Sequence, residues 1–272
     1  MNIEAIMPKR THVEYRVYDQ PDALSRATAE YFVRGIQAAV AERGVARIAI
    51  SGGGSPKPVF ALLADPHQPY REAVPWDRLW IFWVDERCVP PDSPDSNYGA
   101  ARDLLLNKVP LHPEHITRIE GELEPEEAAA RYETAIRAHY RLEGAEGPVF
   151  DLIQLGMGDD GHTASLFPHT QALHELGRIA VANFVPQQKQ SHRVTLTWPV
   201  INAARHVFFL IEGSAKADPV GRVLTGQYDP ETLPSQIIQP QNGRLVFLLD
   251  RAAAAQLPAP NAQGIGTLEI ER

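Results

Sequence analysis

Residues 151–168 read DLIQLGMGDDGHTASLFP, and the rest of the chain is organised around this stretch. It begins with the apolar run DLIQL, whose length and branched side chains predict a buried strand, and then breaks into glycines and acids that predict a loop. The loop carries Asp159 and Asp160, followed after one glycine by His162. Ligands of open α/β sheets bind beyond the carboxyl ends of the strands, and histidine ordinarily titrates nearest neutral pH. We therefore expect His162 to take part in chemistry.

Other interpretations of this loop are open. Its residues 156–161, GMGDDG, match the dinucleotide fingerprint G-x-G-x-x-G. Asp159 and Asp160 argue against a dinucleotide, because two carboxylates would repel the approaching pyrophosphate. A calcium site is not favoured, because the alternating oxygen ligands and the closing glutamate of an EF-hand are missing. A purely structural loop, in which the aspartates make local turn bonds and the histidine is idle, remains open.

Strands and helices alternate along the rest of the chain. Apolar runs predict further strands at residues 12–18, 47–50, 79–84, 178–184, 193–198, 206–211 and 244–249. Helical spacing predicts helices at residues 21–43, 59–63, 97–108 and 125–142. This alternation predicts an α/β fold, with a mostly parallel sheet and helices on both faces.

Length and composition bound the class of protein. The chain has 272 residues, of which 44% are hydrophobic, and we predict one domain over residues 1–272. A net charge of -8 without a basic run predicts no nucleic-acid partner. Cys88 is the only cysteine, which suits a reducing compartment. Neither a signal peptide nor an apolar run of membrane-spanning length is visible, so we expect a cytoplasmic protein with no membrane partner.

A glycine loop follows the predicted strand at residues 47–50. Residues 51–56 read SGGGSP, and Ser55 as N-cap with Pro56 in the first helical position predicts the start of a helix. Gly53 and Gly54 let backbone N–H groups approach an anion, whose charge the helix dipole favours. This is the outline of a phosphate cradle, but not a nucleotide P-loop, because the G-K-[ST] ending is absent. A tight turn without a ligand remains open.

Charged residues follow two more predicted strands. The triplet DER at residues 85–87 comes directly after one strand, and Lys216 comes shortly after another. We expect these side chains to line the crevice at the strand ends, although surface salt bridges are the alternative. Residues 90–96 form a proline-rich loop of the kind that can fold over a site.

Five sequence blocks together resemble the 6-phosphogluconolactonases, within the larger family that these share with the glucosamine-6-phosphate isomerases/deaminases. The blocks are SGGGSP (51–56), VDER (84–87) continuing to SNY (96–98), GMGDDGHTASLFP (156–168), SHRVTLT (191–197) and EGSAK (212–216). The resemblance covers nearly the whole chain. It implies a Rossmann-like α/β fold and cofactor-free chemistry on six-carbon sugar phosphates.

The resemblance also implies roles for individual residues. By the family pattern, His162 is the general base. The backbone of the glycine loop at residues 53–55, together with Arg87 and Lys216, is associated with the substrate phosphate. Arg193, in the SHRVTLT block, belongs to the site by the same resemblance.

The implied reaction is hydrolysis of a small sugar-phosphate lactone, 6-phospho-D-glucono-1,5-lactone, to 6-phosphogluconate in the pentose phosphate pathway. A δ-lactone is an activated ester, so its hydrolysis needs a positioned water, a base that titrates near neutrality and stabilisation of the oxyanion. We expect His162 to take the water's proton, and Asp160 or Asp85 to orient its ring. No metal or other cofactor is required. The H-x-H-x-D-H and H-E-x-x-H clusters of zinc enzymes do not occur in the sequence.

Three other functions are less favoured by the sequence than lactone hydrolysis. The deaminases carry a glutamate five residues beyond the histidine, where this chain has Phe167. A serine hydrolase with Ser55 as nucleophile is disfavoured, because the segment GGSPK lacks the last glycine of the G-x-S-x-G elbow and because a role as helix cap would account for Ser55. A non-catalytic sugar-phosphate-binding protein would keep the cradle and lose the base, but His162 is present.

Overall fold

The computed structural model describes residues 10–271, and the side chains of residues 13–268. The described residues form eleven strands and seven α-helices, joined by turns and short 3-10 segments. The strands are β1 (Arg10–Tyr18), β2 (Ala46–Ile50), β3 (Leu79–Trp83), β4 (Asp85–Arg87), β5 (Ile116–Thr117), β6 (Leu152–Leu155), β7 (Ala180–Phe184), β8 (His192–Leu196), β9 (His206–Ile211), β10 (Arg244–Asp250) and β11 (Ile265–Glu271). The α-helices are α1 (Pro21–Arg43), α2 (Pro56–Ala64), α3 (Tyr70–Ala73), α4 (Asn97–Leu104), α5 (Pro125–Tyr140), α6 (Trp198–Asn202) and α7 (Ala217–Thr225).

Eight strands form the main sheet, in the order β11-β1-β10-β9-β6-β2-β3-β5. Every neighbouring pair is parallel except β1 and β11, which are antiparallel at the edge. The central strands β6, β9 and β10 are buried along almost their whole length. Parallel strands buried in this way need cover on both faces, and α1 supplies part of it by contacting β2, β6 and β10. The predicted α/β fold with a mostly parallel sheet is confirmed.

Three strands lie outside the main sheet. They form a separate antiparallel sheet in the order β4-β8-β7, which the alternation of strands and helices did not predict. The chain leaves the main sheet after Trp83, where the Tyr132 hydroxyl accepts from the backbone N–H at 2.9 Å and donates to the carbonyl at 2.6 Å. Tyr132 thus satisfies both backbone polar groups of Trp83, one residue beyond the positions of β3 that pair with β5. The next residues pair with β8 instead.

Helices α1, α2, α4 and α5 were predicted from the sequence, whereas α3, α6 and α7 were not. α1 ends at Gly44, whose φ of 77° is a left-handed conformation that glycine adopts without steric cost. α2 begins at Pro56 as predicted. The helix predicted at residues 97–108 is shorter, because α4 ends at Leu104 and a 3-10 turn follows at Leu106–Lys108.

One hydrophobic core joins the main sheet to its helices, and Phe82, Phe208 and Phe247 are among its fully buried side chains. The prediction of a single domain over residues 1–272 extends beyond the described residues and stays a prediction. Within residues 10–271, every helix is too short or too polar to cross a membrane.

Candidate active site

A cavity of about 290 Å³ lies where β2, β6 and β9 end. This is the place where open α/β sheets bind ligands, and the volume suits a small metabolite. Its walls bring together all but one of the predicted site residues: Gly53, Gly54, Ser55, Asp85, Arg87, His162, Arg193 and Lys216. The exception, Asp160, contacts His162 from outside the cavity wall.

The glycine loop after β2 is held from β6. Gln154 is fully buried, its Oε1 accepts from the backbone N–H of Ser51 at 3.0 Å, and its Nε2 donates to Ser51 Oγ at 2.8 Å. Gly53 has a φ of 97°, a conformation that side chains oppose. A Cβ at Gly52 would overlap the side chain of Asn97. The start of the loop is therefore held in place, and its backbone N–H groups can approach a bound anion closely.

Ser55 does not cap α2 with its side chain, which corrects the prediction. The residue stands at the N-cap position, but its backbone is helical, with φ -60° and ψ -35°, and its hydroxyl makes no capping hydrogen bond. A capping side chain reaches the free N–H groups of the first turn from an extended backbone, and Ser55 lacks that geometry. Its hydroxyl instead lines the cavity.

Asp160 and Phe167 hold the ring of His162. Asp160 Oδ1 lies 2.6 Å from His162 Nδ1, and the Phe167 ring stacks on the imidazole with centroids 3.9 Å apart and planes at 23°. A Cβ at Gly158 would overlap both His162 and Asp160, so glycine is needed there. With Nδ1 donating its hydrogen to a carboxylate, Nε2 is the nitrogen that keeps a free lone pair.

The pKa of the Asp160 carboxyl group lies below its usual value, so this group stays ionised at lower pH than an ordinary aspartate. Burial alone would raise its pKa, but the hydrogen bonds and the charge of His162 outweigh burial and lower the pKa of Asp160. One of these bonds comes from the backbone N–H of His162 at 3.1 Å. An ionised carboxylate at Nδ1 stabilises the imidazolium that forms when Nε2 takes a proton.

Asp85, the other carboxylate considered for this role, has different partners. Its Oδ2 accepts from Ser165 Oγ at 2.6 Å, and its Oδ1 accepts from Asn97 Nδ2 at 3.2 Å. The side chain is buried and lines the cavity. The structure therefore places Asp160, and not Asp85, against the ring of His162.

Glu86 lies outside the cavity wall and holds the first turn of α4. Its Oε1 accepts from the backbone N–H of Asn97 at 2.7 Å, and its Oε2 accepts from that of Tyr98 at 2.8 Å and from Ser96 Oγ at 3.0 Å. Burial raises the pKa of Glu86, although the backbone hydrogen bonds favour its ionised form. A carboxylate suits this position, because the N-terminus of a helix carries partial positive charge.

Arg87 and Arg193 line the same cavity from opposite positions on β4 and β8. Arg87 Nη1 donates to the carbonyl of Asp95 at 2.6 Å. Arg193 Nε donates to the carbonyl of Gln190 at 2.7 Å. Both guanidinium groups are thus tied to loop carbonyls through one edge only.

Lys216 supplies a third cation at the mouth of the cavity. Its Nζ lies 2.5 Å from Asp159 Oδ1, and the Asp159 side chain is largely exposed. Glu212, four residues earlier, also lines the cavity and was missed by the sequence reasoning. Because Asp159 is solvent-exposed, an incoming anion can compete with it for Lys216.

Sequence reasoning also missed the residues that support the site from behind. Gln154 carried a signal, since it is the one uncharged polar residue in the apolar run DLIQL. Ser165 and Asn97 lie inside the quoted sequence blocks, but no local pattern predicts their contacts with Asp85, which reach across 80 and 12 positions of sequence. Among residues 10–271, no group of three or more His, Cys, Asp or Glu side chains is arranged to hold a metal ion.

A model of the family described as "Glucosamine-6-phosphate isomerases/6-phosphogluconolactonase" matches residues 19–247, a span that includes the whole cavity wall. The chain belongs to this family. Two relatives named 6-phosphogluconolactonase are similar over most of their length. The protein from Synechocystis sp. is 42% identical over 82% of this chain and 89% of its own. The protein from Nostoc sp. is 38% identical over 86% of this chain and 94% of its own.

Solved structures of family members share the fold. The 6-phosphogluconolactonase from Trypanosoma brucei is 31% identical, with a TM-score of 0.76 over 90% of this chain and 98% of that one. A monomeric glucosamine-6-phosphate deaminase is 20% identical, with a TM-score of 0.72 over 89% of this chain and 99% of that one. At that identity the deaminase shows the shared family fold alone.

Proposed function

We propose that the chain is a 6-phosphogluconolactonase, which hydrolyses 6-phospho-D-glucono-1,5-lactone to 6-phosphogluconate with His162 as the general base. One observation carries the proposal: the imidazole held by Asp160 faces the same cavity as three cations and a glycine loop. A base at one place and an anion receptor at another fit a substrate that carries an ester and a phosphate. The names of the relatives support this assignment.

At the carbonyl end, Nε2 of His162 would take a proton from a water that attacks C1 of the lactone. The ionised Asp160 would stabilise the imidazolium at Nδ1. Collapse of the tetrahedral intermediate breaks the bond between C1 and the ring oxygen, and the imidazolium returns its proton to that oxygen. One water is consumed, and no other reactant is needed.

At the phosphate end, the glycine-loop backbone, Ser55, Arg87 and Lys216 would hold the dianion. Binding energy from this remote group would fix the carbonyl near His162, which lowers the entropic cost of the reaction. Lys216 would exchange Asp159 for the phosphate. Arg193 would face the sugar beside the buried carboxylate of Asp85.

The first test is a rapid assay of 6-phosphogluconolactone hydrolysis, with glucosamine-6-phosphate run alongside. We expect turnover of the lactone only. Phe167 supports this expectation, since the family's deaminases carry a glutamate at its position. Deamination of glucosamine-6-phosphate without lactone hydrolysis would overturn the proposal.

The base is tested by His162→Ala, which we expect to lower kcat by roughly a hundredfold or more, the usual loss of a general base. Affinity for the product 6-phosphogluconate should stay within a few-fold. His174→Ala is the matched control, because this histidine is half-exposed and pairs with Glu231 outside the cavity wall. A near-normal kcat for His162→Ala would remove His162 from the mechanism.

A further inference from the structure

Arg87 and Arg193 form a like-charged pair that the fold must hold together. They are directly opposite in the antiparallel pair of β4 and β8, an arrangement that destabilises a sheet when both side chains carry the same charge. Arg193 is only 7% exposed. Burial lowers the pKa of Arg193, the charge of Asp85 opposes this, and the charge of Arg87 adds to it. Two cations so placed need acceptors that keep them in the cavity.

The acceptors come from two different loops. Arg87 donates to the carbonyl of Asp95, which belongs to the proline-rich residues 90–96. Arg193 donates to the carbonyl of Gln190, in the loop between β7 and β8. A backbone carbonyl can orient a guanidinium only as well as its own loop is held in place.

Asp95 joins these two loops. Its carboxylate Oδ2 accepts from Gln190 Nε2 and from Lys189 Nζ, both at 2.9 Å. These hydrogen bonds, that of Lys189 first, lower the pKa of Asp95. A continuous path of hydrogen bonds therefore runs from Arg87 through Asp95 and Gln190 to Arg193. We call Asp95, Lys189 and Gln190 the clasp.

We propose that Asp95 is a positioning residue for the phosphate end of the substrate, because the clasp fixes the loops that orient Arg87 and Arg193. This inference rests on the proposed function, which puts the phosphate at Arg87. Asp95 accepts from Arg87 through its backbone carbonyl and holds the opposite loop through its side-chain carboxylate, so one residue supports both arginines. The proline-rich residues 90–96 are tied to the β7–β8 loop by this contact.

The test variant is Asp95→Ala, which removes the carboxylate and keeps the carbonyl that Arg87 needs. We expect KM for the phosphorylated lactone to rise about 3- to 10-fold, the effect of losing one or two net hydrogen bonds. The kcat should change less than twofold, because His162 and its partners are not in the clasp. Asp95→Asn keeps an oxygen acceptor for Gln190 and should restore most of the loss.

A matched control lies in the same loop. Asp92 is 84% exposed and pairs with Arg102, outside the clasp. Asp92→Ala removes the same charge at nearly the same place, so it separates the clasp from the general effect of deleting a surface carboxylate. We expect its KM to match that of the wild type.

Two further readouts separate positioning from a merely structural role. The slow hydrolysis of unphosphorylated gluconolactone should be much less affected by Asp95→Ala, since this substrate has no phosphate for Arg87 to hold. Calorimetric binding of 6-phosphogluconate should weaken by the same factor as KM rises, while gluconate shows no such difference. General loosening of the fold would affect both lactones.

The inference is overturned if KM for the phosphorylated lactone stays within twofold of the wild type in Asp95→Ala. Equal losses on both lactones, or an equal loss in Asp92→Ala, would overturn it as well. A different outcome would overturn the proposed function: a wild-type protein that does not hydrolyse the phosphorylated lactone. Binding of 6-phosphogluconate then still tests the clasp without turnover, and a wild type that does not bind it would overturn both.

Discussion

Phe167 is buried against the imidazole of His162 and stands apart from the main hydrophobic core. Asp160 holds the ring through one nitrogen, whereas the stacked ring restricts its tilt. Phe167→Leu removes the flat contact, so we expect kcat to fall about 10- to 100-fold through loss of alignment. The KM should hardly change. Steady-state kinetics measure this effect. The control Phe167→Tyr keeps the ring and should retain most of the activity. A normal kcat in Phe167→Leu would show that Phe167 does not align His162.

Lys216 and Arg87 belong to the phosphate end, where the net charge of -8 makes the local cations necessary. Lys216→Ala and Arg87→Ala should each weaken binding by about 2 to 4 kcal/mol, because a charge-assisted contact is lost and the anion is left poorly paired. The loss should appear in kcat/KM for the phosphorylated lactone and hardly at all for unphosphorylated gluconolactone.

A distant cation supplies the control for this experiment. Arg34→Ala removes one positive charge from an exposed position on α1 and should leave both substrates unaffected. If Lys216→Ala and Arg87→Ala reduced the two lactones equally, these residues would serve the carbonyl end or the fold, and the phosphate would have to be placed elsewhere.

At the scale of the element, the alternation of side chains along β4 explains why its three consecutive charged residues have different partners. Successive side chains of a strand point to opposite faces. Asp85 and Arg87 accordingly line the cavity, whereas Glu86 points the other way and holds the first turn of α4. The sequence predicted that the triplet would line the crevice, and the strand geometry restricts this to its outer members.

His139 makes the packing of α5 sensitive to pH. It lies against Trp80 of β3 and accepts from Arg47 Nε at 2.9 Å. Burial, reinforced by the charges of Arg47 and His115, lowers the pKa of His139 from 6.5 to about 4. The folded state therefore keeps a neutral ring while the unfolded chain takes a proton. Stability from this group is present above about 6.5 and is lost as pH falls towards about 4.

The thermal unfolding midpoint, followed from pH 7.5 to pH 4.5, measures this contribution. His139→Gln keeps an acceptor for Arg47 but does not titrate, so its midpoint should fall less steeply with pH than that of the wild type. His67→Gln, at an exposed position, should follow the wild-type curve. A His139→Gln curve parallel to the wild type would assign the acid sensitivity to other groups.

At the scale of the whole molecule, the proposed mechanism places every reacting proton on His162, the water and the ring oxygen. We therefore expect EDTA to leave lactone hydrolysis unchanged, in fresh enzyme and after prolonged dialysis. The measurement is kcat before and after treatment. Loss of activity that a divalent cation restores would show that the mechanism lacks a component.

Much of this molecule was determined by the sequence alone. Apolar runs and helical spacing predicted the parallel sheet and the helices α1, α2, α4 and α5, because burial and backbone sterics act over a few neighbouring residues. The position of His162 beyond a strand end followed from the same local signals. The motif blocks identified the family, since their order and spacing are specific.

Only the tertiary structure decided the contacts between distant segments. In the structure Asp160, and not Asp85, contacts His162. The Ser55 hydroxyl lines the cavity and does not cap α2. The strands β4, β7 and β8 form a second sheet. The clasp joins Asp95 to Lys189 and Gln190, which are more than 90 positions apart in the sequence, so no local pattern predicted it. Such choices depend on which polar groups meet once the sheet has formed, and a buried polar group takes whatever partner the packing brings within hydrogen-bond distance.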